Sequence, residues 1–213
     1  MPPAVARALG LDGAGAAAAR QRLETYVAAL VKWQRRINLI GPATVADLWQ
    51  RHILDCGQLA ALVPSAARVC DIGAGAGLPG LVLAAMGAGQ GPGGGLDLVE
   101  SDARKAAFLS EANRRMGTAA RVLNRRIEDV VADKAAAYDI VTARALAPLP
   151  KLLELSQPLL KTGGKLLFLK GKGADGELTD SAKAWNMTVT KTPSASDSEG
   201  VILQIEDLER RHG

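Results

Sequence analysis

The sequence predicts an α/β fold: a doubly wound, mostly parallel seven-stranded sheet with a C-terminal antiparallel hairpin, preceded by an N-terminal helical extension. Three observations predict it. From residue 67 onward, short β-rich runs alternate with helical ones, the pattern of βαβ crossovers. A glycine cluster, Gly73-Ala74-Gly75-Ala76-Gly77-Leu78-Pro79-Gly80, directly follows the first of those runs. The last two β-like runs are joined by the turn-rich segment Thr192 to Gly200 with no helix between them, so they must pair antiparallel.

The first twenty residues are rich in Ala and Gly and read as a loosely ordered lead-in. Helical periodicity then places Leu23, Val27, Leu30, Val31 and Ile37 near one stripe, until Gly41-Pro42 stops it. A second helix is expected from Thr44 to Leu62, closed by Pro64. Residues 1–64 therefore read as the helical extension and 65–213 as the sheet domain. Within the latter, strands are expected at Arg68 to Ile72, Leu96 to Glu100, Ala120 to Leu123, Tyr138 to Ala143 and Gly164 to Lys170. Helices are expected at Leu78 to Met86, Arg104 to Met116 and Leu149 to Leu160. The hairpin is Met187 to Lys191 with Val201 to Glu206. Residues 87–95, six of the nine glycine, read as a flexible connection.

Composition narrows the class. With 48% hydrophobic and 23% charged residues, the chain of 213 can bury a substantial core, built from aliphatic side chains because aromatics are only 3%. No apolar run approaches the roughly 18 residues that span a bilayer. Met1 to Ala19 lacks the continuous apolar core of a signal peptide. A cytoplasmic protein is expected. Cys56 and Cys70 show no ligand spacing and read as buried thiols. No His/Cys set completes a metal site, and His212 in the tail completes no triad. A formal charge of +4 leans toward an anionic partner, more so because Arg104-Lys105, Arg114-Arg115, Arg121 and Arg125-Arg126 crowd together.

The glycine turn fits two registers. Gly75-x-Gly77-x-x-Gly80 matches a dinucleotide fingerprint, and Gly73-x-Gly75-x-Gly77 matches the turn of S-adenosyl-L-methionine enzymes. Three details favour the second. The carboxylate of Asp71 precedes the turn, suiting a cofactor with a cationic amino group and repelling a pyrophosphate. The dinucleotide register would begin too far beyond the strand. The terminal hairpin leaves no second βαβαβ half for a nicotinamide. Glu100, ending the next strand, is placed to hold a ribose. Arg144, just past the fourth strand between apolar flanks, lies at the edge where such sheets bind ligands. It is placed for the cofactor carboxylate, or for a phosphate or O6 of a target guanosine.

Several motifs occur in order: Asn38-Leu39-Ile40, Arg51-His52-Ile53-Leu54-Asp55, Asp71 to Gly80, Glu100-Ser101, Arg104-Lys105, Phe108-Leu109, Arg126-Ile127-Glu128, Asp139 to Ala145 and Leu169-Lys170-Gly171. In this set, which runs from about Trp33 to Gly171, the chain resembles the ribosomal small-subunit RNA methyltransferase G family, also called the glucose-inhibited division protein B family. It departs in having Cys56 where serine is usual, Ile40 where threonine is, and the glycine insertion at 87–95.

The resemblance implies a bacterial enzyme that methylates N7 of a guanine in 16S rRNA, free or within the 30S subunit or an assembly intermediate, and that works as a monomer with S-adenosyl-L-methionine. It implies that Gly73, Leu78, Ile127, Glu128 and Arg144 line the cofactor site, beside Asp71, Gly75, Gly77, Glu100 and Ser101. It gives His52 and Asp55, spaced i and i+3 on one helix face, a role bordering the active site together with Asn38. Lys170 and the arginines at 114–126 are expected to meet the RNA backbone. N7 carries an in-plane lone pair and no proton, so positioning and electrostatics suffice and no general base is required.

Overall fold

The computed structural model describes residues 1–134 and 137–211; His212 lies outside them. Seven strands form one sheet in the order β3-β2-β1-β4-β5-β7-β6. They are β1 (Arg68–Ile72), β2 (Gly95–Val99), β3 (Arg121–Leu123), β4 (Tyr138–Arg144), β5 (Leu160–Lys170), β6 (Trp185–Pro193) and β7 (Val201–Arg210). The first five pair in parallel, whereas β7 inserts antiparallel between β5 and β6, as the hairpin required. The central strands are Val, Ile, Leu and Cys runs buried on both faces, as a covered parallel sheet demands.

Helices cover both faces. One face carries α2 (Ala17–Gln34), α4 (Gly80–Ala85) and α5 (Ala103–Met116), whose Leu23, Leu30, Leu81, Leu83, Phe108 and Leu109 join one core with Val69 and Leu98. The other face carries α6 (Ile127–Lys134) and α7 (Leu149–Ser156), whose Val130, Leu149, Leu152 and Leu153 pack on Ile72, Val141 and Phe168. Helix α5 shows how the sequence sets its own limits. The Asp102 carboxylate accepts from the N–H groups of Arg104 and Lys105, and Gly117 turns left-handed at φ 65° to close the far end.

The N-terminal helices share this core. The fully buried Tyr26 of α2 packs its ring 6.4 Å from that of Phe108 and donates its hydroxyl to the Ala76 carbonyl at 2.6 Å. Trp33 lies edge-on to Phe108 and donates to Glu111. The helical extension thus touches the glycine turn itself.

Four expectations change. Residues 1–20 are ordered: Pro3, preset for a first helical turn, opens α1 (Pro3–Ala8), Val5, Ala6 and Leu11 are buried, and Arg20 holds the carbonyls of Leu11 and Gly13. The helix expected over 44–62 is broken into a π-helix (Trp49–Leu54), the short α3 (Asp55–Gly57) and a 3-10 turn (Gln58–Leu62). The glycine segment 87–95 is a compact turn, with Gly91 N–H on Ser65 and Gly95 N–H on Ala67. A Cβ at Gly94 would meet the Ser65 and Gly89 carbonyl oxygens at 2.8 Å, so packing requires the glycine. Helices α6 and α8 (Ala174–Ser181) were not expected. Among the described residues no helix is long and apolar enough to cross a membrane.

Candidate functional site

Strand order reverses between β1 and β4, and the crevice at such a switch point, beyond the strands' carboxyl ends, is where open α/β sheets bind ligands. A cavity of about 550 Å³ opens there. The glycine turn forms its floor. Gly73, Gly75 and Gly77 all take positive φ (64°, 52° and 82°), and Ala74 N–H bonds to Val99 O at 2.9 Å, fastening the turn to β2. A Cβ on Gly73 would strike Leu146 at 2.6 Å. Gly73, Gly75, Leu78, Glu100, Ser101, Ile127, Glu128, His52 and Arg144 all line the cavity. Lys105, Arg125 and Arg126 line its rim.

Asp71, Gly77 and Asn38 are placed otherwise. Asp71 is fully buried beneath the turn, where Oδ2 accepts from Gly80 N–H at 2.9 Å and Oδ1 from the Thr142 hydroxyl at 3.0 Å. Burial pushes its carboxyl up to about 7, tempered by those two bonds. It braces the turn and does not line the cavity, so the expected contact with a cationic amino group gives way to a supporting role. Gly77 supports as well: its Cβ would collide with Leu81 of α4. Asn38 lines a neighbouring surface hollow with Arg36 and Asp102, while Leu39 and Ile40 reach the main cavity.

The carboxylate of Glu100 is the cavity's fixed acid. Oε2 accepts from Gly75 N–H and Oε1 from Asp102 N–H, both at 2.8 Å, so the side chain ties the glycine turn to the start of α5. Each oxygen keeps lone-pair capacity toward the cavity, the arrangement a vicinal diol needs. Leu78, Val99 and Ile127 add apolar wall on either side. A nucleoside fits this acceptor between apolar walls.

His52 comes from the π-helix, in which i→i+5 winding takes residues three apart off a common face. It is not bonded to Asp55. The Thr44 hydroxyl gives its single proton to the Gly41 carbonyl (2.7 Å) and so accepts from His52 Nε2 (2.8 Å). That fixes the tautomer and leaves Nδ1 a buried bare acceptor, without a partner among the described residues. Burial, and then the nearby Arg144 cation, lower the imidazole to about 4, keeping it neutral.

Asp55 instead grips Arg144, whose Nε stands 3.2 Å from Oδ2. Arg144 Nη2 donates to the Arg51 carbonyl (3.1 Å) and Nη1 to Cys56 Sγ (3.8 Å). Each Nη carries a second N–H, and the side chain borders both the main cavity and a smaller one of about 240 Å³. Ala145, next in the chain, takes φ 52°, a conformation non-glycine residues adopt at a cost, here where the chain must turn sharply off β4. Burial raises the Cys56 thiol to about 12, so it packs and does not react.

The basic residues divide. Lys170 is half-buried in an ion pair with Glu177 (2.8 Å), Arg121 pairs with Asp97, Arg115 with Glu111 and Arg125 with Asp133. Lys170 thus braces β5 against α8 and is not free for an RNA backbone as expected; Lys105 and Arg126, which line the main cavity, are better placed. Sequence reasoning missed Thr44, Thr142 and the serines that hold Asp55 (Ser194 and Ser196), because each acts on a partner far along the chain or inside an irregular helix. Among the described residues no cluster could hold a metal ion.

Strand order, terminal hairpin and switch-point cavity together give the chain the class I methyltransferase fold. Solved structures share that fold: a Corynebacterium glutamicum protein (TM-score 0.59, 19% identity, 88% of this chain and 92% of the other) and M. jannaschii TYW2 in complex with AdoMet (TM-score 0.56, 16% identity, 76% and 77%). The family model described as rRNA small subunit methyltransferase G matches residues 19–202. Proteins named ribosomal RNA small subunit methyltransferase G are 52% identical in Paramagnetospirillum magneticum, over 89% of each chain, and 46% identical in Methylobacterium radiotolerans, over 97% of this chain and 96% of the other. The chain belongs to the rRNA small subunit methyltransferase G family.

Proposed function

We propose that this chain transfers a methyl group from S-adenosyl-L-methionine to N7 of one guanine in 16S rRNA, by direct in-line attack without an obligatory general base. Family membership supports rRNA methyl transfer, and the Glu100 carboxylate set between apolar walls supports the cofactor. When bound, that cofactor supplies an electrophilic methyl on a sulfonium. Glu100 holds the ribose, the glycine turn admits the cofactor against backbone, and Glu128 at the cavity wall faces its cationic end. The second N–H on each Nη of Arg144 is aimed at the acceptor nucleotide, at O6 or a phosphate.

One observation supports an acceptor that needs no deprotonation by His52. The imidazole that borders the cavity, His52, is held neutral with a pKa of about 4, far too weak a base to strip a proton from a base nitrogen at neutral pH. An acceptor with its lone pair already in hand suits this site, and guanine N7 is one. The test is labelled methyl transfer to 16S rRNA transcribed with guanosine or with 7-deazaguanosine. Transfer to the first alone is expected; equal transfer to both would overturn the N7 assignment.

A further inference from the structure

We propose that Ser194 and Ser196, in the turn between β6 and β7, are positioning residues for methyl transfer: they orient Arg144 through Asp55. The inference rests on the reading that Arg144 meets the acceptor nucleotide.

The Asp55–Arg144 ion pair is costly to hold away from water. Asp55 and Arg144 side chains are 13% and 20% exposed, and a pair so far out of water is held only if its remaining lone pairs find donors. Asp55 divides its oxygens between two tasks. Oδ2 faces Arg144 Nε, while Oδ1 accepts from Ser194 Oγ and Ser196 Oγ, each at 2.8 Å, and from Gln58 Nε2 at 3.3 Å. A carboxylate is planar and rigid, so fixing one oxygen fixes the other. The direction in which Asp55 presents Oδ2, and with it the plane of the Arg144 guanidinium, is therefore set from the hairpin.

The turn is built to do this. Ser194 N–H closes it on the Gly200 carbonyl (2.9 Å), Ser196 N–H bonds back to Ser194 Oγ (3.1 Å), and the two hydroxyl oxygens lie 2.9 Å apart. Gln58 clasps it from the helical segment: Nε2 donates to Ser194 Oγ (2.9 Å) and Oε1 accepts from Ala195 N–H (3.0 Å). By contrast, the exposed Arg51–Asp197 pair at 3.5 Å contributes little. Ser196 also walls the smaller cavity on the far side of Arg144, whereas neither serine lines the cofactor cavity. Neither serine touches the cofactor cavity directly; each reaches it only through Asp55 and Arg144.

The experiment compares the native enzyme with Ser194→Ala/Ser196→Ala, alone and on an Arg144→Ala background, with Ser194→Thr/Ser196→Thr as the hydroxyl-retaining control. S-adenosyl-L-methionine affinity is read by calorimetry, and kcat and KM by labelled methyl counted on 16S rRNA whichever atom receives it. A wrong acceptor atom therefore leaves this readout intact. The alanine pair is expected to keep cofactor affinity within about twofold while kcat falls roughly tenfold. The threonine pair should recover most of that loss. On the Arg144→Ala background the serine substitutions should change kcat less than about twofold, because their route to the reaction is gone. Unchanged kcat in the native background, or the same fall on both backgrounds, would overturn the proposal. If the double variant proves too unstable, Ser196→Ala alone is judged by the same criteria.

Discussion

Asp71 offers the sharpest physical test, because a buried carboxyl next to a cofactor turn has an opposite-signed effect on stability from that of a surface one. Its oxygens accept from Gly80 N–H and the Thr142 hydroxyl, and burial lifts it to about 7. In the unfolded chain it titrates near 3.9. Between those values the folded state binds the extra proton, so the stability it contributes is full below about pH 4 and is lost as pH rises through about 7. The separation between those two values corresponds to about 4 kcal/mol at most. Asp71→Asn removes the titration yet keeps both bonds, with the amide oxygen accepting from Gly80 and the NH2 donating to a rotated Thr142 hydroxyl. The difference in unfolding free energy, native minus variant, should therefore fall by about 2–4 kcal/mol from pH 4 to pH 8 and flatten above, as read by urea unfolding at a series of pH values. A difference that does not change with pH would refute the reasoning, since Asp71 would then ionise alike in both states. Asp71→Ala, which orphans the Gly80 N–H, should be less stable than Asn at every pH.

Three further outcomes are expected. Gly80→Ala places a Cβ 2.6 Å from Asp71 Oδ2 and into Leu98; overpacking of this kind costs about 1–3 kcal/mol, so thermal unfolding should drop by roughly 3–10 °C, and an unchanged midpoint would contradict the packing. Glu100→Ala strips the acceptor from Gly75 and Asp102 N–H and the diol partner from the cavity; calorimetry should show S-adenosyl-L-methionine binding weakened by about 30-fold or more, with Glu100→Gln between it and the native enzyme. His52, lowered to about 4 from its usual value, should have the opposite pH sign to Asp71. Its contribution is present above about pH 6.5 and lost as pH falls through about 4, roughly 2 kcal/mol after allowance for the open cavity, and His52→Gln should remove that acid-side loss.

Much of the fold was legible because its signals are local. Val69 to Ile72 followed at once by Gly73 announces a strand and a turn within a few residues, and the helix-free segment between Lys191 and Val201 forces a hairpin. The Asp102 cap and the Gly117 stop bound α5 within a residue of expectation. What was not legible depends on partners far along the chain. Residues 1–20 look composed for disorder, yet Leu11 is buried through Arg20 and the glycines near Gly91 are fixed by Ser65. The π-helix at Trp49 to Leu54 has no composition of its own, so the His52–Asp55 pairing inferred from α-helical spacing gave way to His52–Thr44 and Asp55–Arg144. That Glu100 and Arg144 border the cavity is legible from their place at strand ends, whereas sequence shows that Asp71 carries a carboxylate but not that the chain turns over it. Ser194 and Ser196 sit in a turn whose serines would suit any loop, and only the fold brings them to Asp55.

The most direct test of the account is to map 7-methylguanosine in 16S rRNA from cells with and without this gene, and after incubating the unmethylated rRNA or 30S particles with the purified protein and S-adenosyl-L-methionine. One guanine should lose its N7 methyl without the gene and regain it with the protein, but not with the Arg144→Ala variant at comparable rate. An identical map in the two strains, or a methyl restored at another atom, would contradict it.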